Sequence, residues 1–505
     1  MNLSPRRLLT NAGSQSAAFL AQLAAAFFLA PVVLAAIGDE KYGAWSFAES
    51  FVAYLTIFDM GVAAALVRFA PRAITRGDDE ELTRLFSAAL TFFAVGGTLA
   101  LALGGLFARI GLPRMIGEGA LRAEFLALFL ILIANFALTL PLSVFPAMLD
   151  ALGRFAFKSG VRTAALALRV GLTIGVLRLQ PNLIWLGLVL AVCNIGEHLV
   201  LAVGVFRSLP RLRYRPESVD RATIRQIAGY SRDAVVALFA GRLAFHTDAF
   251  VISPTLGMAA VTPFALASRL VEMTKSLLRS ATTTLTSAFS SLEAAGDHDR
   301  LRATFLAGSR AAWYAGLTAE AGLLLLGPTF LTLWVGERHA EAGRPVLLAL
   351  GSVVALSVAQ SVASRVLYGL GRLRGFARGT LAEGASNLAI SLALVGPFGI
   401  TGVAVGTALP HAAFCVFVLV VVCRLTGVRP TAYVRQIVPA IAVVAPAAMF
   451  WAAMARRGIG RWPEWFAVAG VGMMIVAAGL AMAEFRLPGR VRGWLAARRR
   501  QYAAR

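Results

Sequence analysis

Charge is scarce in this chain of 505 residues. Only 15% of them are Asp, Glu, Lys or Arg, against about 25% in a soluble domain. A soluble globular fold is excluded, because too few charged side chains remain to coat a water-facing surface. Short apolar-polar alternation, the mark of an outer-membrane barrel, is missing too. No Gly-rich loop ends in Gly-Lys-Ser/Thr, so there is no Walker-type ATP site. Segments between the apolar runs stay within about the length of one membrane span, which leaves no room for a soluble catalytic domain. A membrane-embedded glycosyltransferase or polymerase would be expected to carry carboxylates on a sizeable periplasmic loop. The segments near 110–121 and 329–343 are short, and Asp39-Glu40 is too exposed a pair for that chemistry. Cysteine is nearly absent. Cys193, Cys415 and Cys423 fall inside apolar runs without paired or metal-like spacing, and read as small packing residues.

What remains is apolar. Hydrophobic residues make up 58% of the chain, and mean hydropathy is +0.73. Long apolar runs recur, each near the ~20 residues that cross a hydrocarbon core. The pattern predicts an all-α membrane protein with about fourteen transmembrane spans. They fall near 12–37, 42–69, 83–109, 122–149, 159–178, 183–207, 228–254, 260–289, 303–328, 344–368, 377–395, 399–423, 436–455 and 463–485. Arg6-Arg7 ahead of the first run has the charge pattern of a cleavable signal. Ser14, Gln15, Ser16 and Gln22 interrupt that run, however, and its length suits span 1.

The formal net charge is +22, almost all of it from arginine, and it is unevenly placed. Roughly 30 basic residues flank one set of span ends and roughly 10 the other, which puts both termini in the cytoplasm by the positive-inside rule. The densest clusters are Arg207, Arg211, Arg213, Arg215, Arg221 and Arg225 in the central loop and Arg498, Arg499 and Arg500 in the tail. They orient the chain and attract anionic membrane lipid; nucleic acid is not an expected partner.

The chain repeats itself. Leu152-Gly153-Arg154 recurs as Leu370-Gly371-Arg372, with Ser143-Val144 and Leu149 matching Ser361-Val362 and Leu367. Gly77-Asp78, Leu82 and Phe86 recur as Gly296-Asp297, Leu301 and Phe305, and Gly38 as Gly257. An even number of spans per copy gives both copies the same orientation, with the substrate path expected between them. The expected organisation is a six-helix lobe at 1–207, a basic cytoplasmic loop at 208–226 and a second six-helix lobe at 227–425. Spans 13 and 14 follow at 426–485 as an appendage, then a basic tail at 486–505.

Ionisable residues inside a span are costly and face partners or a wet cavity. Span 8 is the richest. Arg269, Glu272, Lys275 and Arg279 are spaced by three, three and four, which sets them on one helical face. The stripe covers about 15 Å, too far for snorkelling to one interface. Span 7 adds Arg242, His246 and Asp248; span 2 adds Glu49 and Asp59, and span 10 adds Arg365. Arg169, Glu197 with His198, Arg310 with Glu320, Glu383 and His411 occupy spans 5, 6, 9, 11 and 12. Taken singly, Asp59, Glu320 and Glu383 are as readily structural ion pairs. The span 8 face instead predicts a solvated, net-cationic cavity lined by spans 7 and 8, with spans 1 and 2 opposite. Such a cavity suits an anionic substrate, phosphate above all. No metal site is expected, since neither His246 nor His411 has a second ligand at suitable spacing.

Several segments resemble bacterial polysaccharide flippases. They are Gly38-Asp39-Glu40-Lys41-Tyr42-Gly43-Ala44-Trp45, Asp59-Met60-Gly61, Leu370-Gly371-Arg372, Asn387 and the turn Gly396-Pro397-Phe398-Gly399-Ile400-Thr401-Gly402-Val403-Ala404. The similarity is to the Wzx-like O-antigen branch of the multidrug/oligosaccharidyl-lipid/polysaccharide (MOP) exporter superfamily, over roughly residues 10–425. It implies two six-helix lobes and alternating access in the bacterial inner membrane. The implied substrate is a polyprenyl-diphosphate-linked oligosaccharide: an O-antigen, capsule or exopolysaccharide repeat unit. On that basis Arg242, Arg269, Lys275, Arg279 and Arg365 would hold the headgroup. Glu49, Asp59, Asp248 and Glu272 would tune their charge or carry coupling ions, protons or sodium, and no other cofactor is expected. A polysaccharide polymerase or chain-length regulator is the expected protein partner. The rival readings are a cation-coupled multidrug exporter, a lipid II flippase and, from another class, a membrane-embedded glycosyl-transfer enzyme.

Overall fold

The computed structural model describes residues 5–59, 61–115, 120–225, 227 and 247–485. Every regular element among them is helical. The chain forms two compact units, Met1–Leu266 with Arg374–Pro410 (unit 1) and Ala267–Leu373 with His411–Arg505 (unit 2).

Unit 1 begins with α1 (Pro5–Ile37), α2 (Asp39–Leu55), α3 (Val62–Arg76) and α4 (Asp79–Ile110). It continues through α5 (Ala120–Leu142), α6 (Val144–Ala151), α7 (Phe155–Leu179), α8 (Leu183–Ser208) and α9 (Asp248–Leu256). Helix α10 (Met258–Ser280) leads into unit 2, which holds α11 (Leu285–Ala294), α12 (His298–Leu325), α13 (Gly327–Val335), α14 (Glu337–Gly351) and α15 (Val354–Gly369). Helix α16 (Arg374–Leu425) belongs to unit 1 as far as Pro410, and α17 (Ile437–Arg457) and α18 (Trp462–Phe485) belong to unit 2.

Among the described residues nine helices are long and apolar enough to cross a membrane, and two bent pairs raise the number to 11. Helix α16 holds two of the expected spans, because Gly399 breaks it at φ 59, ψ −142, a conformation open essentially to glycine alone. Span 7 lies largely outside the described residues. Span 8 is α10, 23 residues long, which carries the four charges.

The repeated motifs adopt the same backbone. Gly77 and Gly296 take φ of 67° and 66°, and the Asp after each caps the next helix. Asp78 accepts the Glu81 N–H at 2.8 Å, as Asp297 accepts that of Arg300 at 3.0 Å. Gly153 and Gly371 also match, at φ 70° and 67°. Each is followed by an Arg whose N–H reaches back five residues at 2.9 Å, from Arg154 to Leu149 and from Arg372 to Leu367. This is the helix-ending hydrogen bond of a left-handed C-terminal turn. Gly38 and Gly257 share a third conformation, φ 80° and 86°.

Several expected spans are broken, for local reasons. Span 2 stops at Leu55, passes through a 3-10 turn at Thr56–Asp59 and resumes after the left-handed Gly61. Asp59 therefore sits at a break and not deep within a helix. Span 4 divides at Ser143, flanked by Pro141 and Pro146, residues that each forfeit a helical hydrogen bond. Span 8 ends at Ser280 because the Thr282 and Thr283 hydroxyls donate to the Arg279 and Ser280 carbonyls at 2.8 Å, in competition with the helix. Spans 9 and 10 bend by 59° and 41°. At the second bend Glu320 accepts the Ala355 N–H at 2.8 Å, a carboxylate at the buried N-terminal turn of α15.

The basic loop is tied to α4. Tyr214 Oη lies 3.1 Å from Thr91 Oγ1, the Arg215 N–H donates to Ser87 and Arg211 pairs with Asp79. At its end, hydrogen bonds from the Thr223 side chain and backbone hold the Asp220 carboxyl below the usual carboxylate range.

Spans 13 and 14 are joined to each other by one tryptophan, and span 14 to the end of span 9 by another. Trp451 Nε1 donates to the Val468 carbonyl and Trp465 Nε1 to that of Leu326, at 3.1 and 3.2 Å. Elsewhere small residues let helices approach closely. A Cβ on Gly43 of α2 would stand 1.9 Å from the Met258 carbonyl oxygen. Overpacking of this kind costs about 1–3 kcal/mol or more. Gly43→Val is therefore expected to cut the monodisperse fraction in size-exclusion chromatography about fivefold. Gly105→Val, where an added Cβ meets nothing within 4 Å, should leave it unchanged.

Candidate functional site

The charged face of α10 is built around one carboxylate. Lys275 Nζ lies 2.8 Å from Glu272 Oε2, and Arg279 Nη1 donates to Glu272 Oε1 at 3.4 Å. Lys275 is buried, whereas Glu272 keeps 50% of its side-chain surface open. Burying an ammonium is tolerable only with such a partner. Arg279 uses its other arm on Ser357 of α15, with Nη2 2.6 Å from Oγ. The same hydroxyl is 3.0 Å from His411 Nε2, and Cys415 Sγ lies 3.7 Å from that nitrogen. Arg269 is half-buried on the same stripe. The face thus carries three cations and one carboxylate.

One helix thus presents two surfaces. Leu270, Thr274, Leu277 and Leu278 of α10 line an apolar groove of about 940 Å³, completed by α12, α17 and α18 through residues such as Ala319, Trp451 and Met473. Arg310 and Tyr314 are among its few polar groups.

Unit 1 contains a separate oxygen-rich cluster around Asp248, the first residue of α9. Thr407 Oγ1 is 2.8 Å from Asp248 Oδ1, 3.1 Å from the Val403 carbonyl and 3.5 Å from Asn387 Oδ1. Ser391 Oγ lies 3.0 Å from that same Asn387 oxygen. A hydroxyl has one proton to donate, so Thr407 can serve only one of these acceptors at a time. Nearby, Tyr54 Oη and Thr247 Oγ1 are 2.6 Å apart. Glu383, one turn before Asn387 on α16, is also buried.

The remaining expected site residues are dispersed. Arg365 follows Ser357 and Ser361 at intervals of four on α15, about 12 Å along the axis from Ser357. Its Nε is buried without a hydrogen-bond partner among the described residues, and it stands beside Tyr368. Glu49 is half-buried on α2. The Asp59 carboxylate meets the Ala63 N–H, while its Oδ1 is buried and unpartnered among the described residues. Arg242 and His246 lie outside the described residues. Ser357, Cys415, Thr407 and Ser391 were missed in the sequence, where hydroxyls and thiols in apolar helices carry no signal. Asn387 stood out only through resemblance.

The sequence profile of the polysaccharide biosynthesis protein family matches residues 8–293. No curated protein matches the chain. Among solved structures, the lipid II flippase MurJ in an inward closed conformation superposes with a TM-score of 0.71 at 11% identity. That likeness covers 95% of this chain and 99% of MurJ. An inward-facing multidrug resistance MATE family transporter of the MOP superfamily gives a TM-score of 0.66 at 15% identity, covering 81% of this chain and 94% of that one. A MOP superfamily transporter from Pyrococcus furiosus, described as having a binding pocket of reverse polarity, gives 0.56 at 14% identity, over 83% and 94%. Identities this low establish the fold, while the profile spans more than half of the chain. This multi-pass membrane protein belongs to the polysaccharide biosynthesis protein family and has the fold of the MOP superfamily.

Proposed function

We propose that the protein is a flippase for a polyprenyl-diphosphate-linked oligosaccharide, an O-antigen, capsule or exopolysaccharide repeat unit. It moves this lipid from the cytoplasmic to the periplasmic leaflet of the bacterial inner membrane by alternating access, with both termini cytoplasmic and no catalytic step. The observation that carries this reading is the double character of α10. A diphosphate joined to a long apolar chain calls for both cations and an apolar trough, and α10 carries the first on one face and lines the second with another. Lys275, Arg279 and Arg269 supply the first, and the groove lined by Leu270, Leu277 and Trp451 supplies the second. The polyprenyl end lies in the groove while the charged face holds the diphosphate through charge-assisted hydrogen bonds. Arg279 is the more available cation, since Lys275 remains to neutralise Glu272. Glu272 moderates the positive charge of this face.

A multidrug exporter for cationic compounds would need the opposite charge. A lipid II flippase shares the ligand chemistry, and the likeness to MurJ over 95% of this chain favours it as the second reading; loss of the gene is lethal only under that reading. The Asp248 cluster offers carboxylate, amide, carbonyl and hydroxyl oxygens, the ligand set of a hard cation, and is the site proposed for coupling to sodium ions or protons. Anionic lipid meets the arginine loop and tail, and a polysaccharide polymerase or chain-length regulator receives the product.

A phosphate-directed guanidinium contributes about 1.5–3 kcal/mol. Arg279→Ala is therefore expected to lower surface polysaccharide at least about tenfold, with protein abundance in the membrane unchanged. Lipid-linked oligosaccharide should then accumulate on the cytoplasmic leaflet; normal polymer in the Arg269→Ala/Arg279→Ala double variant would sink the assignment. Asp248→Asn keeps an acceptor for Thr407 but removes the charge. In proteoliposomes it should abolish the stimulation of transport by an imposed sodium or proton gradient, and unchanged stimulation would rule the cluster out as the coupling site.

A further inference from the structure

Unit 1 holds another polar site that this transport scheme does not use. Gln15 and Gln22 on α1, Lys158, Arg162 and Arg169 on α7, and Asn194 and Glu197 on α8 line a pocket of about 470 Å³. The spacings are seven on α1, four and seven on α7 and three on α8, so each helix turns one face to it. Ser159 and Thr163 add hydroxyls, and polar side chains outnumber apolar ones around the space. Within helices of membrane-spanning length such a lining is costly unless it is wet or occupied.

Charge pairing inside the pocket defines the ligand. Lys158 is neutralised by Asp150, and Arg162 Nε lies 3.3 Å from Glu197 Oε1. Arg169 is half-buried, about 10 Å farther along α7 than Arg162, with no carboxylate paired to it among the described residues. One positive charge is therefore left over. A diphosphate would need more, and would be repelled by Glu197. Three side-chain amides, each with donors and an acceptor, match the hydroxyls of a sugar ring. A single carboxylate suits the planar fork of Arg169.

We propose that this pocket binds the glycan portion of the transported lipid at a sugar bearing one carboxylate, a uronic acid; the inference rests on the flippase reading for the identity of its ligand. Arg169 takes the carboxylate, and Gln15, Gln22 and Asn194 hydrogen-bond the ring hydroxyls.

The test uses the full chain in lipid nanodiscs, with methyl galactosiduronate, which bears one carboxylate, its methyl ester and inorganic pyrophosphate as separate calorimetric titrants. The galactosiduronate is expected to bind, and the neutral ester to bind at least about tenfold more weakly, the ratio expected from one charge-assisted contact. Arg169→Gln should weaken galactosiduronate binding by about the same factor and leave pyrophosphate binding intact, which also certifies the fold. Asn194→Ala should weaken acid and ester alike. Arg279→Ala should do the reverse of Arg169→Gln, losing pyrophosphate and keeping the sugar. No binding of the galactosiduronate, or equal binding by wild type and Arg169→Gln, overturns the sugar site. Failure of pyrophosphate alone counts against the diphosphate site and not against this pocket.

Discussion

Glu272 is the carboxylate around which the charged face of α10 is organised. In a membrane span a buried charge without a partner is strongly destabilising. By bridging Lys275 and Arg279, one negative charge lets two positive ones exist at depth. The pairing is unequal: Lys275 is buried against the carboxylate, while Arg279 keeps an arm for Ser357. The helix can then carry net charge on one face and leucines on the other. An amphipathic ligand needs that combination, and a uniformly apolar span could not supply it.

The two units have built different chemistry on shared punctuation. Gly77-Asp78 and Gly296-Asp297 turn the chain alike, as do Gly153 and Gly371. Between those turns the side chains diverge. Unit 2 concentrates cations beside an apolar groove. Unit 1 carries an oxygen-rich cluster around Asp248 and an amide-lined pocket around Arg169. Backbone turns depend on a few residues with special conformations, whereas the interior faces are free to vary as long as each charge has an answer. That separation is how one helical scaffold comes to hold different polar chemistry in different places.

The broken helices belong to the same economy. At the bend between α14 and α15 the backbone loses helical partners in a region meant for lipid, where an unsatisfied N–H is costly. Glu320 restores the Ala355 hydrogen bond. The threonines after Ser280 satisfy carbonyls at the end of α10 in a comparable way. Glu320, an intramembrane charge in the sequence, thus answers a local backbone demand.

The sequence by itself determined the solvent, the helical class, the repeated turns and the face of α10. Hydropathy, glycine placement and a three-and-four spacing are local properties, and a helix's 3.6-residue period converts spacing into a face without further information. Tertiary structure decided what each polar group meets. Ser357 bridges Arg279 and His411, and Thr407 meets Asp248, across 54 to 159 residues of chain. Hydroxyls within apolar helices reveal nothing until another helix is packed against them. The same holds for the groove, whose walls come from α10, α12, α17 and α18. Periodicity says which way a side chain points along its own helix; only packing says what it points at.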